Sequence, residues 1–188
     1  MKIIVAITAA SGAIYARQLL EELVRSEQVT EIALIESDNA AAVAEWEGVQ
    51  MPQSEKITRY ANNSMFAAVA SGSARFDAMA VVPCTVGTLG RVASGISQTL
   101  IERAADVMLK ERRKLVLLVR ESPLSLIHLR NMTTLTEAGA IVMPASPSFY
   151  SRPESIESLC HTLIERVLVH LGIETSHYEW GSEGNKNG

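Results

Sequence analysis

The sequence predicts a three-layer α/β/α fold with a central parallel sheet. Five short apolar runs alternate along the 188-residue chain with longer segments of helical periodicity. The runs are apolar throughout rather than alternating with polar residues, which is typical of strands buried on both faces of a sheet. Strands that alternate with helices form right-handed β-α-β units, so we expect a Rossmann-like or flavodoxin-like arrangement.

The five predicted strands are each bounded by Gly, Pro, Ser or charged residues, and they cover residues 2–7, 31–36, 78–82, 115–119 and 140–143. Residues 38–76 are rich in Ala and Ser and contain no clear strand pattern. We therefore expect five strands in one domain that spans residues 1–188.

Helices are predicted wherever apolar residues recur at helical spacing. The first covers Ala13 to Val24, another lies near residues 98–113, and the last carries its apolar stripe from Ile156 to Leu171. Ser151, Pro153 and the acidic residues that follow are start signals for this last helix. The polar segment from Glu174 to Gly188 is expected to be a flexible tail.

Composition excludes several classes of function. With 17 Lys and Arg against 21 Asp and Glu, and a formal net charge of −4, the chain offers no basic surface for nucleic acid. The apolar start is interrupted at Thr8 and Ser11, which makes it too short for a signal peptide or a membrane span. We expect a cytoplasmic protein in a reducing compartment.

Cysteine and histidine patterns indicate neither a disulfide framework nor a metal site. Cys84 and Cys160 are far apart and in unlike contexts. The four histidines show no ligand spacing with carboxylates or cysteines. Cys84 is expected to be a buried thiol rather than a nucleophile, because no histidine accompanies it.

The residues that follow each predicted strand are the candidates for a ligand site, because open parallel sheets bind ligands at the carboxyl ends of their strands. These segments run from Thr8 to Gly12, Ser37 to Asn39, Pro83 to Thr88, Arg120 to Pro123 and Pro144 to Tyr150. Small and hydroxylated residues ahead of a helix let backbone N–H groups approach a phosphate. The first turn is therefore predicted to be a phosphate cradle.

This turn fits neither Gly-x-Gly-x-x-Gly nor the lysine-containing phosphate loop, so classical dinucleotide binding and ATP hydrolysis are disfavoured.

Cationic residues form a second group of candidates. Arg103 and Lys110 lie on one flank of the predicted helix, roughly 10 Å apart along its axis, and would frame a phosphorylated small molecule or a neighbouring subunit. Asp106 between them favours an ordinary surface ion-pair ladder instead. Arg120 and Glu121 directly follow a buried strand, and this pair is the first candidate for chemistry.

Eight motifs of the chain resemble those of the UbiX-type flavin prenyltransferases, also called phenylacrylic-acid-decarboxylase-type flavoproteins. They comprise Thr8 to Ala13, Ser71 to Ser73, Pro83 to Leu89, Glu102 to Val107, Leu109 to Arg113, Leu118 to Leu124, His128 to Met132, and Met143 to Tyr150. The resemblance runs over about residues 2–172. Ala9 stands where the family usually has Gly, and Thr85 where it usually has Ser.

The resemblance implies a metal-independent reaction in which a dimethylallyl group passes from dimethylallyl phosphate to N5 and C6 of reduced FMN. The product, prenylated FMN, would serve a UbiD-type decarboxylase. Family members assemble as dodecamers with active sites at subunit contacts, so a homo-oligomer is implied here too.

The resemblance also implies residue roles. The residues implied to bind FMN are Ala9, Ser11, Ser37, Thr85, Val86, Gly87, Thr88 and Arg120. Those implied to surround the prenyl phosphate are Ser71, Arg103, Lys110, Glu121, Tyr150 and Arg166. Glu47 would lie near the flavin, and the implied catalytic residues are Glu121, Lys110, Glu47 and Ser11. Glu121 would relay the proton lost at C6.

Two alternatives remain open at this point. A cysteine-decarboxylating flavoprotein of the phosphopantothenoylcysteine type shares the fold, but its expected catalytic histidine and Asn-bearing signature are not found in the sequence. A non-enzymatic flavin electron carrier would have no need for Arg120 and Glu121, or for the flank of Arg103 and Lys110.

Overall fold

A six-stranded parallel sheet forms the centre of the protein in the computed structural model, which describes residues 1–175. The strands are β1 (Lys2–Ile7), β2 (Glu31–Glu36), β3 (Ile57–Ala61), β4 (Ala78–Cys84), β5 (Lys114–Val119) and β6 (Ile141–Pro144). Their order is β3-β2-β1-β4-β5-β6, with every neighbouring pair parallel. The predicted parallel sheet is confirmed, and its order is that of the Rossmann fold.

Six α-helices within residues 1–175 cover the two faces of the sheet. They are α1 (Ala13–Arg25), α2 (Ala40–Trp46), α3 (Val86–Ala93), α4 (Leu100–Lys110), α5 (Leu126–Glu137) and α6 (Ile156–Leu171). Alternate residues of each strand point to opposite faces, so Ile3 and Val5 pack with α1 and α6, while Ile4 and Ala6 pack with α3 and α4. Both faces of the central strands are buried, which explains their unbroken apolar runs.

The sequence-based interpretation missed β3, which lies inside the segment for which no strand was predicted. Ile57 and Tyr60 are partly buried while Thr58, Arg59 and Ala61 are exposed. Three of the five residues of β3 are exposed, so it lacks the unbroken apolar run of strands that are buried on both faces.

The predicted start of the last helix was also wrong. α6 begins at Ile156, and the Ser155 hydroxyl caps it by accepting the Ser158 N–H at 3.1 Å. Arg152 precedes a proline, which disfavours helical backbone, and it has a positive φ of 51°. The predicted tail lies mostly outside the described residues, which end at 175.

The strand order reverses between β1 and β4, and Thr8 joins the two strands at that point. Its hydroxyl donates to the Pro83 carbonyl at 2.8 Å and accepts the Thr85 N–H at 2.8 Å. A crevice for a ligand opens where such a sheet changes direction. No helix within residues 1–175 is long and apolar enough to cross a membrane.

Candidate functional site

Four neighbouring strands carry the predicted FMN-binding residues to one edge of the sheet. Ser37 follows β2, Ser11 follows β1, Thr85 follows β4 and Arg120 follows β5. These strands are adjacent in the order β2-β1-β4-β5, so their ends span roughly 15 Å at the usual strand spacing. The structure thus brings together residues that are more than one hundred positions apart in sequence.

The turn after β1 is not an open phosphate cradle, as the sequence predicted, because a side chain of the protein fills it. The Glu47 carboxylate accepts the Gly12 N–H at 2.9 and 3.1 Å and the Ala13 N–H at 2.7 Å. Glu47 follows the end of α2, which carries its carboxylate to the start of α1. A carboxylate at a helix N-terminus satisfies free N–H groups and complements the helix dipole, so Glu47 takes the position predicted for a phosphate.

Glu47 is held in its charged form. Partial burial raises the pKa of its carboxyl, but the Ser11 hydroxyl, the Gly12 and Ala13 N–H groups and the charge of Arg120 together outweigh burial and lower the pKa from 4.5. Glu47 therefore links the residue after β1 with the residue after β5.

Gly12 is required where this turn enters α1. Its φ is 105°, and a Cβ atom there would lie 2.8 Å from the Tyr15 ring. Ala9, which replaces the glycine usual in the resembling family, is not among the described residues with positive φ, so its side chain fits without backbone strain.

The turn after β4 is the second helix start at this edge. The Thr85 hydroxyl accepts the Thr88 N–H at 3.1 Å and donates to the Thr88 hydroxyl at 3.0 Å. Val86 and Gly87 form the first turn of α3, where N–H groups have no partner inside the helix. This turn, rather than the one after β1, offers free N–H donors and a positive helix end to an anion.

Two buried polar atoms at the same edge have no hydrogen-bond partner among the described residues. They are the Ser37 hydroxyl oxygen and the Arg120 Nε. An unsatisfied buried polar group costs about 1–3 kcal/mol, so its presence at a ligand edge indicates a bound partner. The donor set of a guanidinium, hydroxyls and a helix N-terminus suits a phosphate-bearing cofactor such as FMN.

Glu121 and Tyr150 lie at the same edge but face solvent. Glu121 is exposed, and its carboxylate accepts the Ser122 N–H at 3.0 Å. Tyr150 follows β6 and is also exposed.

Ser71, Arg103 and Lys110 form a separate group on the outer side of α4. Arg103 Nε donates to the Ala70 carbonyl at 3.1 Å, next to Ser71. Arg103 Nη1 pairs with Asp106 at 2.7 Å, which confirms that half of the predicted ladder. Lys110 instead pairs with Glu111 at 2.5 Å, so the predicted second half was wrong.

Lys110 and Arg120 lie at opposite edges of the sheet. α4 descends toward the amino end of β5, and the Arg113 N–H bonds the Met108 carbonyl in the tight turn that follows it. The six steps from Lys114 to Arg120 then measure roughly 20 Å along the strand. Within one subunit, Lys110 cannot reach a ligand that Arg120 holds.

Arg166 is likewise distant from the carboxyl edge. It lies in the last third of α6, near Lys114 and His170. Burial lowers the pKa of His170, and the charges of Arg166 and Lys114 lower it further. α6 carries Arg166 away from the carboxyl ends of the strands, and its contact with a ligand stays a prediction.

Sequence reasoning gave no role to Arg91, which contacts this site. Arg91 Nη2 donates to the Thr88 hydroxyl at 3.3 Å, and Arg91 Nε pairs with the buried Glu102. The spacing of Thr99 and Glu102 is that of a capping box, a signal that would have identified Glu102 as a helix cap.

The Cys84 thiol is buried, as the sequence predicted. Burial raises the pKa of Cys84 to about 12, so its thiol is inert as a nucleophile. Within residues 1–175, no group of three or more His, Cys, Asp or Glu side chains is arranged to hold a metal ion.

Comparisons with known proteins agree with this geometry. A family model described as Flavoprotein matches residues 1–168. The flavin prenyltransferase UbiX of Methanocaldococcus jannaschii is 44% identical over 186 residues, which cover 97% of this chain and 100% of the relative.

Two solved structures are similar over nearly the whole chain. AnUbiX, or PadA1, in complex with FMN and dimethylallyl pyrophosphate has a TM-score of 0.90 at 41% identity, covering 97% of this chain and 98% of its own. A dodecameric FMN-dependent UbiX-like decarboxylase from Escherichia coli O157:H7 has a TM-score of 0.89 at 38% identity, covering 97% and 100%.

Replacing Glu47 by glutamine should make the Tm of the protein vary less with pH in the acidic range. Because the pKa of Glu47 is lowered in the folded state, its stabilising effect is complete above about pH 4.5 and is lost as the pH falls through the lower folded value. We expect Glu47→Gln to lower the Tm at pH 7 and the deficit to shrink below pH 4.5. Thermal unfolding across pH checks this, with the exposed Glu45→Gln as control. A deficit of equal size at every pH would contradict it.

Proposed function

The chain belongs to the Flavoprotein family and, within it, to the UbiX-type flavin prenyltransferases, and from this premise we propose that it prenylates FMN. It transfers a dimethylallyl group from dimethylallyl phosphate to N5 and C6 of reduced FMN. The observation that carries the proposal is the match, over 97% of the chain, to a structure in complex with FMN and dimethylallyl pyrophosphate.

The carboxyl edge of the sheet is the proposed FMN site. The unpartnered Arg120 Nε and Ser37 hydroxyl supply donors, and the first turn of α3 supplies N–H groups and the hydroxyls of Thr85 and Thr88. Ala9, Ser11, Val86 and Gly87 complete this binding set. Ser11 and the charged Glu47 lie at the start of α1, and both are proposed catalytic residues beside the flavin.

Reduced FMN, when bound, supplies the electron-rich nucleophile whose N5 and C6 receive the allyl carbons. The protein then has two tasks: to stabilise the departing phosphate and to handle a proton. Ser71, Arg103, Lys110, Tyr150 and Arg166 are the proposed phosphate ligands, since cations and hydroxyl donors stabilise negative charge as it develops on the leaving group. Glu121 takes the proton lost from C6. Holding both substrates in one dry site supplies the remaining acceleration.

The proposed site is assembled from more than one subunit. Lys110 lies toward the amino ends of the strands, roughly 20 Å from the FMN-binding edge of its own subunit. Arg166 lies roughly 15 Å along α6 from the start of that helix. A head-to-tail contact between copies brings the amino edge of one subunit against the carboxyl edge of the next. The similar Escherichia coli protein is dodecameric, and we infer a homo-oligomer of that kind here.

The product of this reaction is prenylated FMN, which must be passed to an enzyme that uses it. We propose a UbiD-type decarboxylase as the recipient and the cytoplasm as the location. No metal is required, because cationic side chains perform the phosphate stabilisation that a metal supplies in other transferases.

The flavin recovered from a reaction should gain the mass of one isoprene unit. The purified protein is incubated anaerobically with FMN, a reductant and dimethylallyl phosphate, then denatured, and the released flavin is measured by mass spectrometry. A parallel reaction uses dimethylallyl diphosphate, and a control omits the prenyl donor. An unchanged flavin mass with both donors would rule out the proposed activity.

Glu121→Gln should bind FMN as the wild type does but turn over at least about 100-fold more slowly, because an amide cannot accept the C6 proton. FMN affinity is measured by quenching of flavin fluorescence and turnover by product mass. Glu137→Gln, which changes another exposed glutamate on the neighbouring helix, is the matched control. Wild-type turnover by Glu121→Gln would remove Glu121 from the mechanism.

Co-assembly of two inactive variants should restore activity if the site is shared. Arg120→Ala and Lys110→Ala are each expected to be inactive alone. In a mixed oligomer made by co-expression, random assortment leaves about a quarter of the sites with both residues intact, because each site draws them from different subunits. Failure of every mixed oligomer to show activity would place both residues in the same subunit.

A further inference from the structure

We propose that Arg91, held by Glu102, is a positioning residue that orients the Thr88 hydroxyl as a hydrogen-bond donor toward FMN. The inference rests on the proposed function, because it takes the turn after β4 as an FMN contact. Arg91 acts through Thr88 and is not itself assigned to the flavin.

The guanidinium of Arg91 lies beneath the first turn of α3. Its Nη2 donates to the Thr88 hydroxyl at 3.3 Å, and a Cβ atom on Gly87 would lie 3.4 Å from its Nη1. The group is therefore in contact with the turn that carries Thr85, Gly87 and Thr88.

Glu102 holds the guanidinium in place from a second helix. Its side chain is 1% exposed, and its carboxylate accepts the N–H groups of Gln98 at 2.9 Å and Thr99 at 3.0 Å as well as Arg91 Nε. Burial raises the pKa of Glu102, but these donors together lower it, so the carboxylate is charged. Glu102, fixed at the N-terminus of α4, thus holds Arg91 Nε in place, although the arginine side chain is 44% exposed.

The bonding pattern determines where the Thr88 proton points. A hydroxyl has one donor and two acceptor positions. Both acceptor positions of Thr88 are used, by the Thr85 hydroxyl at 3.0 Å and by Arg91 Nη2 at 3.3 Å. The remaining O–H bond must donate elsewhere. Without Arg91, the Thr88 hydroxyl is free to rotate and to act as an acceptor, which a flavin phosphate or carbonyl cannot use.

The pattern also separates positioning from simple charge neutralisation. A single bond from any cation neutralises the charge of Glu102. Orienting the Thr88 hydroxyl needs a second donor on the same group, which is Arg91 Nη2. Lysine retains the charge and lacks the planar fork of arginine. Arg91→Lys therefore keeps the ion pair and loses the fixed bond to Thr88.

The test compares FMN affinity with the stability of the FMN-free protein. We expect Arg91→Lys to keep the wild-type Tm and to weaken FMN binding by about tenfold, the usual effect of one lost hydrogen bond. Arg25→Lys, which changes another ion-paired arginine at the surface, should change neither quantity. In the Thr88→Val background, Arg91→Lys should cause no additional loss of affinity, because both changes remove the same donor.

Wild-type FMN affinity in Arg91→Lys, or losses that add fully in the double variant, would overturn the proposal. If Arg91→Lys lowers the Tm, the paired variant Arg91→Met/Glu102→Gln removes both charges together, while the glutamine carbonyl still accepts the Gln98 and Thr99 N–H groups, and it should show the same tenfold loss of affinity. Prenyl transfer by the wild type is read separately from flavin mass. A wild type that binds FMN without prenylating it refutes the proposed activity alone, whereas one that does not bind FMN refutes both.

Discussion

The uniform direction of the six strands is the constraint on which the rest of this structure depends. Every strand delivers the residue that follows it to the same edge, and every returning helix carries its own last turn to the opposite edge. Ser37, Ser11, Thr85 and Arg120 therefore lie along one edge, while Lys110, at the end of α4, lies roughly 20 Å from Arg120. The proposed sharing of the active site between subunits follows from this separation.

Two carboxylates of the protein bind the N–H groups at helix N-termini near the ligand edge. Glu47 occupies the start of α1, and Glu102 occupies the start of α4. Each is surrounded by N–H donors that favour its charged form. The start of α3 has neither carboxylate, and its own Thr85 cap leaves the first N–H groups available. This difference supports the proposal that an anionic ligand binds at α3.

Much of this architecture was accessible from sequence because burial on both faces leaves a continuous apolar run. β1, β2, β4 and β5 were predicted for that reason. β3 was missed because three of its five residues are exposed. Residues at strand ends were identified as site candidates from topology alone. The roles given to them came instead from the family resemblance and stay predictions.

The features that sequence could not supply are contacts between distant segments. The capture of the Gly12 and Ala13 N–H groups by Glu47, and of Arg91 by Glu102, depends on how helices pack over the sheet. The distance between Lys110 and Arg120 is different, since a helix that precedes a strand must end at that strand's start. That separation follows from the predicted order of elements.

An experimental structure of the assembled protein with FMN bound tests the central claim most directly. We expect one flavin to contact Arg120 and the turn after β4 of one subunit, while the nearest Lys110 belongs to a neighbouring subunit. A flavin that contacts Arg120 and Lys110 of the same chain, or that lies away from the carboxyl edge, would contradict it.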